Sequence, residues 1–352
     1  MPRYSIAEAG KRLPKLVEEA LAGEKVTITR NGEPVVVLKP TAAAIAGQPS
    51  PELVNEIAAR ARRRPKLAEP AVDIIRRMRD EREQTLASDI NASAPMFSRY
   101  VGVDYSGAET PLARLPGIRV YITDGIAQPS EVLPLAPARR WSRRALAEWL
   151  IAELATSTPA LVGIDHAFSF PLHYFDKYRL ERSWPLFLDD FQRHWPTDED
   201  NVYVDFVREG MLGHGAARRG SSKWRRLAEE RARGAKSVFH FDAPGSVAKS
   251  THAGLPWLRA MRQRLGVKVR FWPFEGWSVP SGRSTVVEVY PALHKHGVPL
   301  EGRNPHQQDA YCVALWMAQM DRRGRLGAFF HPNLTALERD LAAVEGWFLG
   351  LR

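Results

Sequence analysis

Two short apolar runs in this chain rhyme. Val101-Gly102-Val103-Asp104 and Val162-Gly163-Ile164-Asp165 each read apolar, glycine, apolar, aspartate. Continuous apolar runs of this length, rich in β-branched residues, mark buried strands. An aspartate where such a strand leaves the core is costly to desolvate unless it is capped, paired or bound to a metal. Two of them ask for a common explanation, and neighbouring parallel strands supply one by bringing the carboxylates together. From Ser98 onward, strand signals at 100–104, 118–123 and, more weakly, 131–135 precede a helical period over 141–155 and a strand at 161–165. This order predicts an α/β fold with a mixed sheet flanked by helices.

Further acids fall into the same frame. Val286-Val287-Glu288-Val289-Tyr290-Pro291 places Glu288 within a strand, and Asn304 with Pro305 opens a helix whose first turns carry Asp309. Val313, Ala314, Met317 and Ala318 mark the inward stripe of that helix and turn Asp309 toward the sheet edge. Asp104, Asp165, Glu288 and Asp309 are therefore the candidate catalytic and metal-ligating residues. Clustered carboxylates repel one another, and divalent cations sharing their oxygens are the ordinary relief. An all-oxygen site fits Mg²⁺ or Mn²⁺, and two ions about 3.5 to 4 Å apart activate water and stabilise the leaving oxygen of a phosphodiester. Taken singly, each acid is more often a cap, an ion-pair partner or a surface group. The shared placement is what points to a metal.

His166, His294, His296 and His306 lie near these acids in sequence and are candidates for moving a proton to the leaving group, against the plain alternative of loop histidines. The run Gly245-Ser246-Val247-Ala248-Lys249-Ser250-Thr251-His252 lacks the second glycine of a Walker phosphate loop, which leaves Lys249 and His252 as supporting or substrate contacts.

From about Tyr100 to Leu326 the order of elements and acids resembles the RNase H-like superfamily, above all its predicted nucleases. These carry an Asp strand, a second Asp strand, Glu-Val-Tyr-Pro and a late Asp-Ala helix, matched here by Asp104, Asp165, Glu288 to Pro291, and Asp309 with Ala310. The resemblance implies metal-dependent phosphodiester hydrolysis. The chain departs from familiar RNase H enzymes in having its third acid late, on a strand, where theirs lies on the helix before the second Asp strand. Metal geometry and substrate, DNA or RNA, stay open.

The first 40 residues read as a separate unit. Ser5 and Glu8 form a capping box, Leu13, Leu16, Val17, Ala20 and Leu21 repeat at helical spacing, and Asn31-Gly32 turns a hairpin between 25–30 and 35–38. So small a unit buries too little surface to stand alone. The blocks Tyr4-Ser5-Ile6-Ala7-Glu8-Ala9, Leu13-Pro14-Lys15-Leu16-Val17, Gly23-Glu24 and Ile28-Thr29-Arg30-Asn31-Gly32-Glu33-Pro34-Val35 resemble the Phd/YefM (prevent-host-death) antitoxin family. That resemblance implies a homodimer, contact with operator DNA near Arg30 and Asn31, and a tail that grips a toxin partner. The basic helical stretch 49–83 would be that tail. A linker at 84–97, rich in Ala and Ser, leads to a nuclease domain at 98–330 and a C-terminal helix at 331–352.

Charge and composition limit the functions. Fifty Lys and Arg against forty Asp and Glu leave a net charge of +10, which favours an acidic partner such as nucleic acid. The basic insertion at about 183–280 holds Arg218, Arg219, Lys223, Trp224, Arg225 and Arg226, the candidate nucleic-acid track; Glu229 and Glu230 allow instead an ordinary ion-paired helix. One cysteine, Cys312, excludes an internal disulfide, and with no membrane-length apolar run the expectation is a cytoplasmic protein. Two other functions compete with the nuclease: a DNA-binding regulator on a silent RNase H-like scaffold, and an actin-like kinase or ATPase, faintly echoed by Asp104 to Thr110.

Overall fold

Ser5 opens the first helix as its spacing predicts. Its hydroxyl accepts from the Glu8 amide and the Glu8 carboxylate accepts from the Ser5 amide, closing the capping box. The structure, a computed structural model, describes residues 3–39 and 94–352. The chain divides into two units, 1–81 and 82–352. The tail expected at 49–83 and most of the expected linker lie outside the described residues.

In the first unit, β1 (Arg3–Ser5), α1 (Ile6–Leu21), β2 (Val26–Arg30) and β3 (Glu33–Leu38) form a sheet of order β1-β2-β3, with β1 parallel and β3 antiparallel to β2. Asn31 and Gly32 take φ of 52° and 86°, the left-handed pair that a type I′ turn requires. Ala9, Leu16 and Ala20 cover Val26, whereas Leu13, Val17 and Leu21 on the helix and Val35, Val36 and Val37 on β3 stay exposed.

The second unit follows with β4 (Arg99–Asp104), β5 (Arg119–Thr123), β6 (Ser130–Glu131), α2 (Arg143–Leu154), β7 (Ala160–Asp165), α3 (Leu172–Tyr178), α4 (Trp184–His194), α5 (Val204–Arg208), α6 (Leu227–Arg231), α7 (Ala248–Leu265), β8 (Val269–Trp272), β9 (Ser284–Glu288), α8 (Pro305–Arg322), α9 (Leu326–Phe329) and α10 (Ala336–Glu345). Its mixed sheet has the order β6-β5-β4-β7-β9-β8. β4, β7, β9 and β8 run parallel and β5 and β6 alternate against them. The third strand is shorter than 131–135, since Pro134 has no amide to offer a ladder. The insertion holds α4, α5, α6, the 18-residue α7 and β8, and its basic stretch at 218–236 is loop around the short α6. The end of the expected linker is already anchored, because the Met96 and Phe97 amides donate to the Asp321 carboxylate. The C-terminal helix stops at Gly346, φ 87°, and Trp347 to Leu349 are buried beyond it.

Strand periodicity assigns the two faces of the sheet. Val101, Val103, Val162, Ile164 and Val286 join the core with residues of α2, α4 and α7. Gly102, Asp104, Gly163 and Asp165 turn to the opposite face, where α8 lies. A Cβ at Gly102 would overlap the Ala310 carbonyl oxygen, and one at Gly163 would come within 2.8 Å of Val313. The glycines of the rhyming runs are thus what lets α8 lie flat on the two central strands. No helix among the described residues is long and apolar enough to cross a membrane.

Candidate metal centre

The two rhyming strands are adjacent, parallel and in matching register, Gly102 beside Gly163 and Asp104 beside Asp165. Because α8 presses on the glycines, the residue before Ala310 is delivered to the same place. Carboxylate oxygens of Asp104, Asp165 and Asp309 all lie within 4.8 Å of one another. Asp104 is 6% exposed. Burial drives its pKa from 3.8 up to about 6, against the lowering influence of His306, with Asp309 raising it further. Burial, then Asp104 and Asp309, hold Asp165 well above the usual carboxylate range, and burial also raises Asp309.

Two basic side chains face this group. His306 Nδ1 donates to Asp104 Oδ2 at 2.8 Å, and Asp104 in turn raises the pKa of that imidazole. The Lys295 ammonium pairs with Asp309. Asp165 receives no hydrogen bond from any described residue and has no ion-pair partner among them. A partly buried carboxylate beside two like charges, with no donor of its own, is a standing electrostatic deficit. The donor set is all oxygen, which fits a hard divalent cation such as Mg²⁺ or Mn²⁺.

Glu288, the fourth of the expected set, lies outside the three-aspartate group, although its charge still helps to raise the Asp165 pKa and the two line one small cavity. In register it pairs with Ile164, not with Asp165, so it points to the other face of the sheet. There it is 2% exposed and takes both ends of the wholly buried Arg226 guanidinium, at 2.8 and 2.6 Å, while its Oε2 accepts from the Phe168 amide. Arg226 also binds Glu229. It is therefore closed to phosphate, a correction to the expected track, because its charge is spent in joining α6 to β9. The pair braces the segment that follows Asp165.

The other expected site residues divide. Arg30 and Asn31 sit exposed at the hairpin tip. Arg218 forms a two-point pair with Asp190, and Arg225 donates to the carbonyls of Glu229 and Ala235. Trp224 is half-buried, stacked on His173 with Lys177 above it. Arg219 and Lys223 are exposed, with no carboxylate partner among the described residues. The proposed track thus keeps two free charges from its original set. Lys249 pairs with Asp205 at 2.6 Å, away from the aspartates' own partners. His166 is buried against Tyr105 and Phe168, His252 against Trp195 and Phe241, and His294 on Trp316. Burial lowers their pKa values to about 4, 3 and 3, so these rings are neutral core groups, unlike His306. His296 is exposed.

Two contributors escaped the sequence reading. Lys295 stands between the two histidines singled out there, and its role depends on the loop that returns it to Asp309. Arg143 is wholly buried and donates to the carbonyls of Ser106, Ala108 and Glu109, fixing the loop that leaves Asp104. Comparison of the chain with protein-family models, curated proteins and solved structures found no match.

Proposed function

We propose that the second unit is a divalent-metal-dependent nuclease of RNase H-like fold, with Asp104, Asp165 and Asp309 as ligands, fused to a Phd/YefM-like unit that dimerises and binds DNA. The observation that carries it is the three-aspartate group with its one unpaired member. Mg²⁺ or Mn²⁺ bound there would activate water and stabilise the leaving oxygen of a phosphodiester. The chain's own residues do the rest. Asp104 orients His306 through Nδ1, which leaves the second ring nitrogen, on a largely exposed side chain, to give a proton to the departing oxygen. Lys295 shields Asp309 and is placed to meet a phosphate oxygen arriving at the same carboxylates.

The exposed apolar residues of α1 and β3 support a homodimer through the small unit, whose hairpin tip leaves Arg30 free for operator DNA. A toxin partner for the basic tail belongs to the same reading. The test is cleavage of labelled DNA and RNA, single- and double-stranded, with Mg²⁺ or Mn²⁺. Wild type should cut, and Asp104→Asn/Asp165→Asn should not. A second reading, a DNA-binding regulator on a silent scaffold, draws support from His306 and Lys295, which already neutralise two of the three aspartates. Absence of divalent-metal binding would favour it.

A further inference from the structure

A carboxylate that binds a metal is usually hydrogen-bonded by a further group that holds its orientation. Asp104 has His306 in that place and Asp309 has Lys295. Asp165 has no such partner among the described residues. It faces instead a small cavity of about 30 Å³ at the carboxyl ends of β7 and β9, whose walls include Gly234, Lys236, Gly245, Glu288 and Tyr290. One water needs about 10 to 15 Å³ of free space and about two to four polar partners. The cavity is large enough for it.

Most polar groups around it are already engaged. Glu288 takes the Arg226 guanidinium and the Phe168 amide, and Glu229 takes Nε and the amide of Arg226. His166 gives Nδ1–H to the Ala167 carbonyl at 2.9 Å and turns Nε2 toward Gly254. The Lys236 ammonium gives an N–H to the Pro244 carbonyl, beside Gly245. Two groups are left wholly unpaired. One is the Asp165 carboxylate, and the other is the Tyr290 hydroxyl, which makes no hydrogen bond to any described residue. The Val289 amide donates to the Ile164 carbonyl at 3.1 Å, so the ladder continues one residue past β9 and delivers Tyr290 beside the end of β7. The tyrosine ring lies on Phe348, 5.6 Å between centroids, and its oxygen ends at Gly234, where a Cβ would stand 3.4 Å from it. Burial and the Asp165 charge both raise the Tyr290 pKa, so the phenol keeps its proton and can donate.

We propose that this cavity holds one ordered water, which donates to the Asp165 carboxylate and accepts from the Tyr290 hydroxyl. Tyr290 is then a positioning residue. Through the water it holds Asp165 toward Asp104 and Asp309, as His306 and Lys295 hold the other two. A carboxylate has lone pairs for both a water and a cation, and the water brings no positive charge, so the mutual repulsion of the aspartates is still left for a metal ion to relieve. The inference deepens the metal reading and rests on it for the role of Asp165 as a ligand. The tyrosine of the Glu-Val-Tyr-Pro run thereby gains a task distinct from that of Glu288, which braces Arg226.

Crystals of the full chain grown in EDTA, at a resolution that shows ordered water, and Mn²⁺ titration in solution test the proposal. In wild type one water should lie within hydrogen-bonding distance of both Asp165 and Tyr290 Oη. Tyr290→Phe removes the hydroxyl and keeps the ring on Phe348. That variant should lose the water and bind Mn²⁺ about tenfold to a hundredfold more weakly, the loss that follows removal of an outer partner of a metal ligand. A purely structural tyrosine would instead lower the metal-free Tm and leave the affinity of the folded protein unchanged. Lys236→Met removes a charge from the same cavity but no partner of the water, and should bind Mn²⁺ at least as tightly as wild type. Wild type that holds the water but binds no Mn²⁺ would sink the metal reading and leave the hydration site standing. A dry cavity in wild-type crystals that show ordered water elsewhere, unchanged Mn²⁺ affinity in folded Tyr290→Phe, or an equal loss in Lys236→Met would overturn the proposal.

Discussion

Replacing Gly102 by alanine should damage the candidate metal centre without touching any of its aspartates. The new Cβ would overlap the Ala310 carbonyl and approach the Ala314 amide nitrogen to 2.8 Å, where ordinary contact begins at 3.4 Å. In a close-packed layer, restoring ordinary contact with that carbonyl oxygen takes a retreat of α8 by about 1.3 Å, and Asp309, the residue before Ala310, goes with it. Overpacking of this kind costs about 1 to 3 kcal/mol, or a Tm fall of about 2 to 12 °C for a unit of this size. The effect on chemistry should be larger, since a ligand displaced by about an ångström loses about tenfold to a hundredfold in rate. The assays are thermal melting, Mn²⁺ titration and cleavage, with Gly327→Ala as control, because a Cβ there meets nothing within 4 Å. Gly102→Ala with wild-type metal affinity and cleavage would refute the claim that the rhyming glycines place Asp309.

Other outcomes follow from the same geometry. Asp165→Asn should abolish metal binding yet raise the melting temperature of the metal-free protein, since it removes an unpaired, partly buried carboxylate crowded by Asp104 and Asp309; a lower Tm there would count against the repulsion argument. Glu288→Gln should cost up to about 3 kcal/mol by leaving the buried Arg226 with Glu229 as its one carboxylate, and the folded fraction should still bind Mn²⁺, whereas loss of metal binding by correctly folded protein would return Glu288 to the ligand set. The folded form of Asp104 titrates at about 6 in place of 3.8, so its contribution is fully present below about pH 4 and lost as pH rises through 6. That shift corresponds to about 3 kcal/mol. Melting without metal should therefore weaken across that window, and Mg²⁺ should raise Tm more at pH 8 than at pH 5; equal increments at both would contradict it.

Much of the centre was legible in the sequence because its logic is local. Apolar, glycine, apolar, aspartate encodes both a buried strand and the face of its carboxylate, and the capped helix of Asn304 and Pro305 carries its own inward stripe. Glu288 shows where such reading ends. Its strand was recognised, but the face it presents depends on register against β7, and one residue of offset exchanges a metal ligand for the partner of a buried arginine. Arg226 was misjudged for a related reason: a run of basic residues records charge and not the acids, distant in sequence, that consume it.

The most direct test of the central claim is Mn²⁺ binding and nucleic-acid cleavage by wild type and by Asp104→Asn, Asp165→Asn, Asp309→Asn and Glu288→Gln. The account predicts metal-dependent cleavage by wild type and its loss in each aspartate variant, with metal binding retained by folded Glu288→Gln. Cleavage undiminished in the three aspartate variants, or wild type that neither binds metal nor cuts any substrate, would contradict it.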